Sequence, residues 1–181
     1  MKNKKKEELI SKGAKIHKSV KIDNDVKVIF PQNLTINKNV RIDTNVLLIC
    51  KKKMKIGKNV HIGPNSILRS HAPLTVGKNT LISSFVDIFT SESEVRNIKN
   101  YSHSMLVHNS NNDQKIVIRS YCFIGSHCIL LPGANLSTGT YLGAQTLINF
   151  KTKAWYSYTG NPPKITGKIN SSKIKGLFKK S

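Results

Sequence analysis

The residues best suited to chemistry lie together in one polar segment, residues 90–114. His103 and His108 are five positions apart in it, and Glu92 stands near its beginning. A neutral imidazole accepts a proton readily near pH 7, and a carboxylate can orient an imidazole. We therefore predict a site of proton transfer here, with His103 as the first candidate base and His108 as the second. Glu92 would be a poor base or the partner that orients a histidine.

A repeat of six residues occupies the chain on both sides of this segment. Aliphatic residues recur at every sixth position, in units of three hexads that begin 20 residues apart and, after the segment, 18 apart. These positions are Ile16, Ile22, Val28, Ile36, Ile42, Leu48, Ile56, Ile62, Leu68, Val76, Ile82, Ile88, Ile118, Ile124, Leu130, Leu136, Leu142 and Ile148. A small or β-branched residue stands four positions after most of them, and Gly or Asn often lies between, as tight corners require.

A period of six does not match the 3.6 residues of an α-helical turn, but it fits a short strand followed by a turn. Three such strands make one triangular coil with the aliphatic residues inside, and successive coils pair along their strands. We predict an all-β parallel β-helix of about six coils over residues 16–150. Residues 90–114 add 22 residues at the corner where regular units carry two extra. An insertion of this length is typical of a functional loop, and we expect it to reach a neighbouring subunit.

The coil pattern ranks the other histidines below the two in the insertion. His71 occupies a corner one coil before the insertion and could line the same cleft, so it is the third candidate base. His17 and His61 fall at outward positions, where we expect surface roles. His127 falls at a corner, where a structural role is expected.

Composition narrows the classes of protein further. The 181 residues include 30 Lys and Arg against 9 Asp and Glu, a net charge of +21, which favours phosphates, acidic glycans or an anionic membrane face as partners. Few aromatic residues stand among the basic ones, so we expect no nucleic-acid binding. The sequence contains no apolar run long enough to span a bilayer, and its beginning does not resemble a signal peptide. The three cysteines are expected to be buried thiols rather than a disulfide framework.

Residues 1–15 are predicted to form a basic cap, either helical or disordered, and residues 151–181 an extension that folds back along the stack and ends in a basic tail.

Two motifs add a resemblance. Residues 124–148, IGSHCILLPGANLSTGTYLGAQTLI, resemble the signature of the galactoside, maltose and xenobiotic acetyltransferases of the hexapeptide-repeat family, and residues 160–165, GNPPKI, are similar to the motif that ends their catalytic domains. The resemblance covers residues 16–168 and implies a left-handed coil, a homotrimer, and acetyl-CoA bound between subunits. It implies no metal ion.

The same resemblance implies which residues contact the cofactor. Lys164 would lie near the CoA phosphates, and the backbone at Gly143–Thr146 would receive the pantetheine amides. The full set implied by the two motifs is Phe123, Gly125, Ser126, Gly143, Ala144, Gln145, Thr146, Gly160, Asn161, Pro162 and Lys164. This chain departs from the family in two ways, since Phe123 replaces a frequent Trp and residues 89–93 contain no His where the family usually carries its catalytic one.

The function implied is that of a cytoplasmic acetyl-CoA-dependent O-acetyltransferase with a His base. Its acceptor would be a sugar hydroxyl, anionic or lipid-linked, in surface polysaccharide or glycolipid assembly, with peripheral contact to an anionic membrane as a further expectation. Two alternatives stay open. One is a non-catalytic trimeric scaffold that binds an anionic polymer. The other is a metal-dependent lyase, since hexapeptide-fold carbonic anhydrases use a His pair five apart with a third upstream, here His103, His108 and His71.

Overall fold

The computed structural model describes residues 4–91 and 113–178, which form three parallel sheets around one core. Sheet 1 contains β1 (Lys15–Ile16), β4 (Leu34–Ile36), β7 (Met54–Ile56), β10 (Leu74–Val76), β13 (Ile116–Ile118) and β16 (Asn135–Leu136). Sheet 2 contains β2 (Lys21–Ile22), β5 (Arg41–Ile42), β8 (His61–Ile62), β11 (Leu81–Ile82), β14 (Phe123–Ile124), β17 (Tyr141–Leu142), β19 (Tyr156–Thr159) and β20 (Lys164–Lys168). Sheet 3 contains β3 (Lys27–Ile29), β6 (Leu47–Ile49), β9 (Ile67–Arg69), β12 (Asp87–Phe89), β15 (Ile129–Leu130) and β18 (Leu147–Ile148).

Equivalent hexad positions stack directly on one another from coil to coil. In sheet 2, Ile42 pairs with Ile22 on one side and Ile62 on the other. The register continues across the insertion, where Val76 pairs with Ile118. The predicted parallel β-helix of about six coils is therefore confirmed, because each coil repeats the same three strands and presents the same inward residue to its neighbour.

The core is the column of hexad residues inside the three sheets. From the second coil onward the aliphatic hexad residues are at most 2% exposed, and small residues such as Cys128 and Thr146 fill the corners beside them. Side chains alternate between the two faces of a strand, so the residues on either side of each buried aliphatic point outward. This alternation makes the outward positions of the short strands the surface on which a site must be built.

The three cysteines lie in this core as free thiols. Burial raises the pKa of Cys50 and of Cys122 to about 12, so both stay protonated at neutral pH. As predicted, they behave as small apolar residues and offer no reactive thiolate.

Different elements cover the two ends of the stack. Helix α1 (Lys4–Ser11) packs against β1 and β2 through Leu9, which is 2% exposed. At the other end β19 adds to β17 in parallel, β20 returns antiparallel to β19, and α2 (Ser171–Leu177) follows. A short 3-10 helix (Pro31–Asn33) forms the first inter-coil corner. Within the described ranges, no helix is long and apolar enough to cross a bilayer.

The outer surfaces of sheets 1 and 3 differ in chemistry. Outward residues of sheet 1 are mostly polar: Lys15, Thr35, Lys55, Thr75, Val117 and Asn135. Most outward residues of sheet 3 are apolar, and we call them the apolar face: Ile29, Leu47, Ile49, Ile67, Phe89, Ile129 and Leu147. Lys27, Arg69 and Asp87 are the charged outward residues of the same sheet. A mainly apolar surface of this kind marks an interaction site.

Asp87 is a carboxylate on the outward side of sheet 3, and its pKa tests whether the apolar face is an environment of low polarity. Asp87 pairs in register with Ile67 and Ile129. Burial raises its pKa, and electrostatic interactions with Arg69 and His127 offset only part of this rise. A raised carboxyl pKa means that the ionised form opposes folding above that pKa, and that the cost disappears as pH falls through it. Asp87→Asn should therefore raise the melting temperature at pH 7, and the difference from the native chain should shrink as pH is lowered. Thermal unfolding from pH 7 to pH 4 measures this, and a variant less stable at pH 7 would contradict it.

Candidate functional site

Most of the cofactor residues implied by the signature lie at one edge of the β-helix, at the corners between sheets 2 and 3. Gly125 and Ser126 form the corner after β14, and Gly143–Thr146 form the corner directly above it, after β17. The two corners are joined by backbone hydrogen bonds, from Gly125 N to Leu142 O at 2.9 Å and from Gln145 N to Ser126 O at 2.9 Å. The structure therefore brings together two parts of the motif that are 18 residues apart.

Glycine is needed at these corners because successive coils approach very closely. A Cβ atom on Gly125 would lie 2.7 Å from Ala144 N, and one on Gly143 would lie 2.4 Å from Thr159 Cγ2. Real Cβ atoms essentially never come this close to another heavy atom. A side chain on Gly125 would therefore push the backbone of the next coil away, and one on Gly143 would displace the Thr159 side chain. The corner glycines thus belong to the packing of the coils, and they leave Ala144 and Gln145 exposed at the surface.

The second motif packs against the first. Gly143 N donates to Tyr158 O at 2.9 Å, and Gly160 N donates to Thr146 Oγ1 at 3.3 Å. Asn161, Pro162 and Lys164 follow in an exposed turn, and Lys164 is the first residue of β20. The residues implied for the pantetheine amides and those implied for the phosphates therefore lie side by side.

Electrostatics favour an anion at this end of the molecule. All nine acidic residues lie at or before Asp113, so residues 114–181 contain none, against ten Lys and Arg. Exposed cations of the described part include Lys151, Lys153 and Lys164. A phosphate-bearing ligand would find counter-charges in this part of the chain. This asymmetry is readable from the sequence, but sequence reasoning overlooked it.

Phe123, the remaining cofactor candidate, lies away from the corners on the outer surface of sheet 2. Its ring stacks on Tyr141 with 4.6 Å between centroids and planes 6° apart. Both line a groove of about 380 Å³ between sheet 2 and α2. The groove walls are mostly apolar, with Leu81 on the sheet side and Ile174 and Leu177 on the helix side. A groove of this size can hold part of a small organic ligand.

An ion-pair cluster that sequence reasoning missed lies at the lower end of the groove. His61 lines the groove, and its Nε2 lies 2.7 Å from Asp43 Oδ2. Arg41 Nε lies 2.6 Å from Asp43 Oδ1. Burial raises the pKa of Asp43, but hydrogen bonds from His61 and Arg41 outweigh this, and the net pKa is lowered. Asp43 therefore stays ionised at neutral pH.

Other corner contacts explain two residues of the signature. Ser126 Oγ lies 2.8 Å from Ser83 Oγ, one coil below. The ring of His127 stacks on Phe85 with 4.9 Å between centroids and planes 2° apart. The stacked His127 ring is consistent with the structural role expected for it.

The catalytic residues predicted from the insertion, His103, His108 and Glu92, lie outside the described residues, and their roles stay predictions. The two ends of the insertion are adjacent, since Gln114 N donates to Thr90 O at 3.0 Å. His71 lies at this stem, with Nδ1 2.9 Å from Ser91 Oγ. Across residues 4–91 and 113–178, no group of three or more His, Cys, Asp and Glu residues could hold a metal ion.

Comparison with known proteins shows which solved structures share this fold. No protein-family model matches the sequence, and no curated protein sequence matches it. Among solved structures, AntD, an N-acyltransferase from Bacillus cereus in complex with dTDP and 3-hydroxybutyryl-CoA, is 22% identical, with 95% of this chain and 92% of that chain covered and a TM-score of 0.83. This chain has the fold of the hexapeptide-repeat acyltransferases.

Two further structures with the hexapeptide-repeat fold match less closely. The polySia-specific acetyltransferase NeuO is 20% identical, with 83% of this chain and 65% of that chain covered and a TM-score of 0.60. A maltose O-acetyltransferase from Clostridium difficile 630 is 15% identical, with 94% of this chain and 79% of that chain covered and a TM-score of 0.61. The match to AntD extends over nearly the whole of both chains.

Proposed function

We propose that this protein is an acyltransferase that transfers the acetyl group of acetyl-CoA to a sugar hydroxyl. The observation that carries the proposal is the packing of the 124–148 signature against the 160–165 turn, both within residues 114–181, which contain no acidic residue. The likeness to AntD, NeuO and a maltose O-acetyltransferase supports it. The proposed setting is the cytoplasm, where acetyl-CoA is available, and the proposed role is surface polysaccharide or glycolipid assembly.

The arrangement of the corners suits coenzyme A. CoA is a long anion with two amides and a terminal thioester, and the thioester supplies an activated acyl group when the cofactor is bound. Ala144 and Gln145 offer exposed backbone for the amides, and Lys164 offers a cation for the phosphates. Gly125, Ser126 and the turn at 160–162 shape the same edge. These residues bind and orient the cofactor, while the acceptor must lose a proton to a nearby base.

We propose a homotrimer as the active assembly. The apolar face of sheet 3 would be covered by a neighbouring subunit, because a surface of this size and chemistry is costly in water. Covering it would place the corners between sheets 2 and 3 at the border between subunits. The insertion at 90–114 would then supply groups to the site of a neighbour, with His103, His108 and Glu92 as the sequence-predicted candidates.

A sugar amine is a second candidate acceptor. AntD is an N-acyltransferase, a mutant of it was solved with dTDP-4-amino-4,6-dideoxyglucose and coenzyme A, and its match extends over more of both chains than the matches to the two acetyltransferases. An amine and a hydroxyl attack a thioester in the same way, so the corners serve either reaction. The residues that bind the acceptor therefore determine whether a sugar amine or a sugar hydroxyl is acylated.

The direct test is thiol release from acetyl-CoA in the presence of hydroxyl and amine acceptors, with maltose and dTDP-4-amino-4,6-dideoxyglucose as the first probes. Mass spectrometry of the acceptor then shows whether an acetyl group has moved and to which atom. Binding of an anionic polysaccharide with no thiol release and no acetylated product would favour the scaffold instead.

Lys164→Ala should weaken CoA binding about fivefold, which corresponds to about 1 kcal/mol for one charge-assisted contact. The fold should be unaffected, because Lys164 is exposed. Lys168→Ala is the matched control, since Lys168 is an exposed lysine at the other end of β20. Calorimetry with CoA measures both affinities, and equal affinities for the two variants would count against a phosphate contact at Lys164.

A further inference from the structure

The coil geometry brings an imidazole and a carboxylate together at the surface of sheet 2. His61 is the outward residue of β8, and Asp43 is the corner residue that follows β5 in the coil below. Their side chains meet at 2.7 Å, between Nε2 and Oδ2. Asp43 is only 8% exposed, whereas His61 is partly exposed to the groove.

The hydrogen bonds determine which ring nitrogen of His61 is available. Asp43 is ionised and accepts through both oxygens, from Arg41 Nε and from His61 Nε2. A carboxylate acceptor requires Nε2 to carry the proton, so in neutral His61 the lone pair is on Nδ1. Across the described part of the chain, Nδ1 of His61 makes no hydrogen bond. This is the state of an imidazole that is ready to accept a proton.

The groove connects this imidazole to one of the residues implied for the cofactor, Phe123. His61, Leu81 and Phe123 stack in register along sheet 2. Two strand spacings separate His61 from Phe123, which is about 10 Å. Apolar residues of α2 line the other side of the groove. Such a groove limits access of water and strengthens polar interactions inside it.

The other histidines of the described part have different surroundings. His17 is exposed and contacts Ser19. His127 is exposed and stacked on Phe85. His71 lies at the stem of the insertion beside Ser91. His61 combines a carboxylate partner with a place in the wall of a ligand-sized groove.

We propose that His61 is the catalytic base of the acyl transfer, that Asp43 positions it, and that the groove receives the acceptor. This inference rests on the proposed function and names the group that removes the proton. His61 Nδ1 takes the proton of the acceptor hydroxyl or amine as its oxygen or nitrogen bonds to the thioester carbonyl carbon. The carbon–sulfur bond then breaks, and the proton passes from His61 to the departing thiolate. The products are the acylated acceptor and free CoA thiol.

His61→Gln is the primary test, because glutamine can still hydrogen-bond to Asp43 but cannot act as a base. With the acceptor that the native chain acetylates, we expect kcat to fall about 100-fold to 10,000-fold, which is the range for a lost general base. CoA affinity should stay within about twofold of that of the native chain. His17→Gln is the matched control and should keep wild-type turnover. In His61→Ala, added imidazole should restore part of the rate, which a purely structural histidine would not allow.

Asp43→Asn tests the positioning role separately. We expect a smaller loss of kcat, about 10-fold to 100-fold, with unchanged acceptor KM, because His61 remains but its tautomer is no longer held. Nitrogen-15 NMR of the imidazole should show the Nε2–H tautomer in the native chain and a mixture in Asp43→Asn. A native chain with the proton on Nδ1 would contradict the proposed orientation.

The outcomes separate this inference from the proposed function. If the native chain transfers acetyl groups and His61→Gln does too, the inference is wrong and the function stands. The same holds if rate is lost only in His103→Ala or His108→Ala. If the native chain transfers no acetyl group to any hydroxyl or amine acceptor, the proposed function and this inference both fail.

Discussion

Ile67→Lys is expected to convert the proposed trimer into a monomer and to weaken acetyl-CoA binding at least about 30-fold, or about 2 kcal/mol. Ile67 lies in the middle of the apolar face, with Leu47 and Asp87 as its register neighbours. In the proposed trimer, a lysine at this position would lose its hydrating water at each of the subunit interfaces. Desolvation of the ammonium group is unfavourable when no partner from the neighbouring subunit compensates for it. The isolated chain should tolerate it, because the position points outward and Asp87 is adjacent.

Sedimentation at micromolar concentration measures the assembly, and calorimetry measures the CoA affinity. Thr75→Lys is the matched control, since Thr75 is the central, outward residue of a regular strand on the polar surface of sheet 1. That variant should remain trimeric with native affinity. A trimer that survives Ile67→Lys would show that the apolar face is not the subunit interface.

Gly125→Ala is expected to lower the melting temperature by about 6 to 12 °C, which corresponds to about 3 kcal/mol for a chain of this length. The added Cβ would lie 2.7 Å from Ala144 N and 2.8 Å from Leu142 O, and neither backbone atom can move without opening the contact between two coils. Because Ala144 belongs to the proposed cofactor corner, CoA affinity should fall as well. The effect is larger than a helix or loop glycine would give, since no flexible side chain can absorb the overlap.

Gly176→Ala is the control for this substitution. A Cβ on Gly176 would meet nothing within 4 Å, and the residue lies in α2, where alanine is favoured by up to about 1 kcal/mol. That variant should keep or slightly raise the melting temperature and keep native CoA affinity. Equal melting temperatures for the two variants in differential scanning calorimetry would contradict the close approach of the coils at Gly125.

The sequence predicted the coils well, for a local reason. Each hexad contains its own strand, its own corner and its own inward residue, so counting from Ile22 to Ile42 and Ile62 is enough to predict the stack and its register. The same counting placed the insertion after Ile88. The motifs at 124–148 and 160–165 added the cofactor residues, and the structure places most of them at one edge, although Phe123 lies apart in the groove.

The acid–base site that we propose at His61 was less predictable. Sequence reasoning assigned His61 to the surface because outward positions of regular hexads usually contact water, and it favoured His103 and His108 in the insertion. The signal it missed is the coil length. With 20 residues per coil, residues about 20 apart are neighbours in space, so Asp43 and His61, 18 apart, become candidates for contact.

The sequence by itself thus determined the β-helix, its number of coils, its buried column and the position of its insertion, because these follow from hydrophobic alternation within each hexad. Only the tertiary structure decided which outward residues meet. The groove exists because the chain turns back after β20 and lays α2 beside sheet 2, and the Gly160–Thr146 contact exists because β19 extends the stack past the last regular hexad. Such contacts depend on where distant segments return, and no local pattern encodes them.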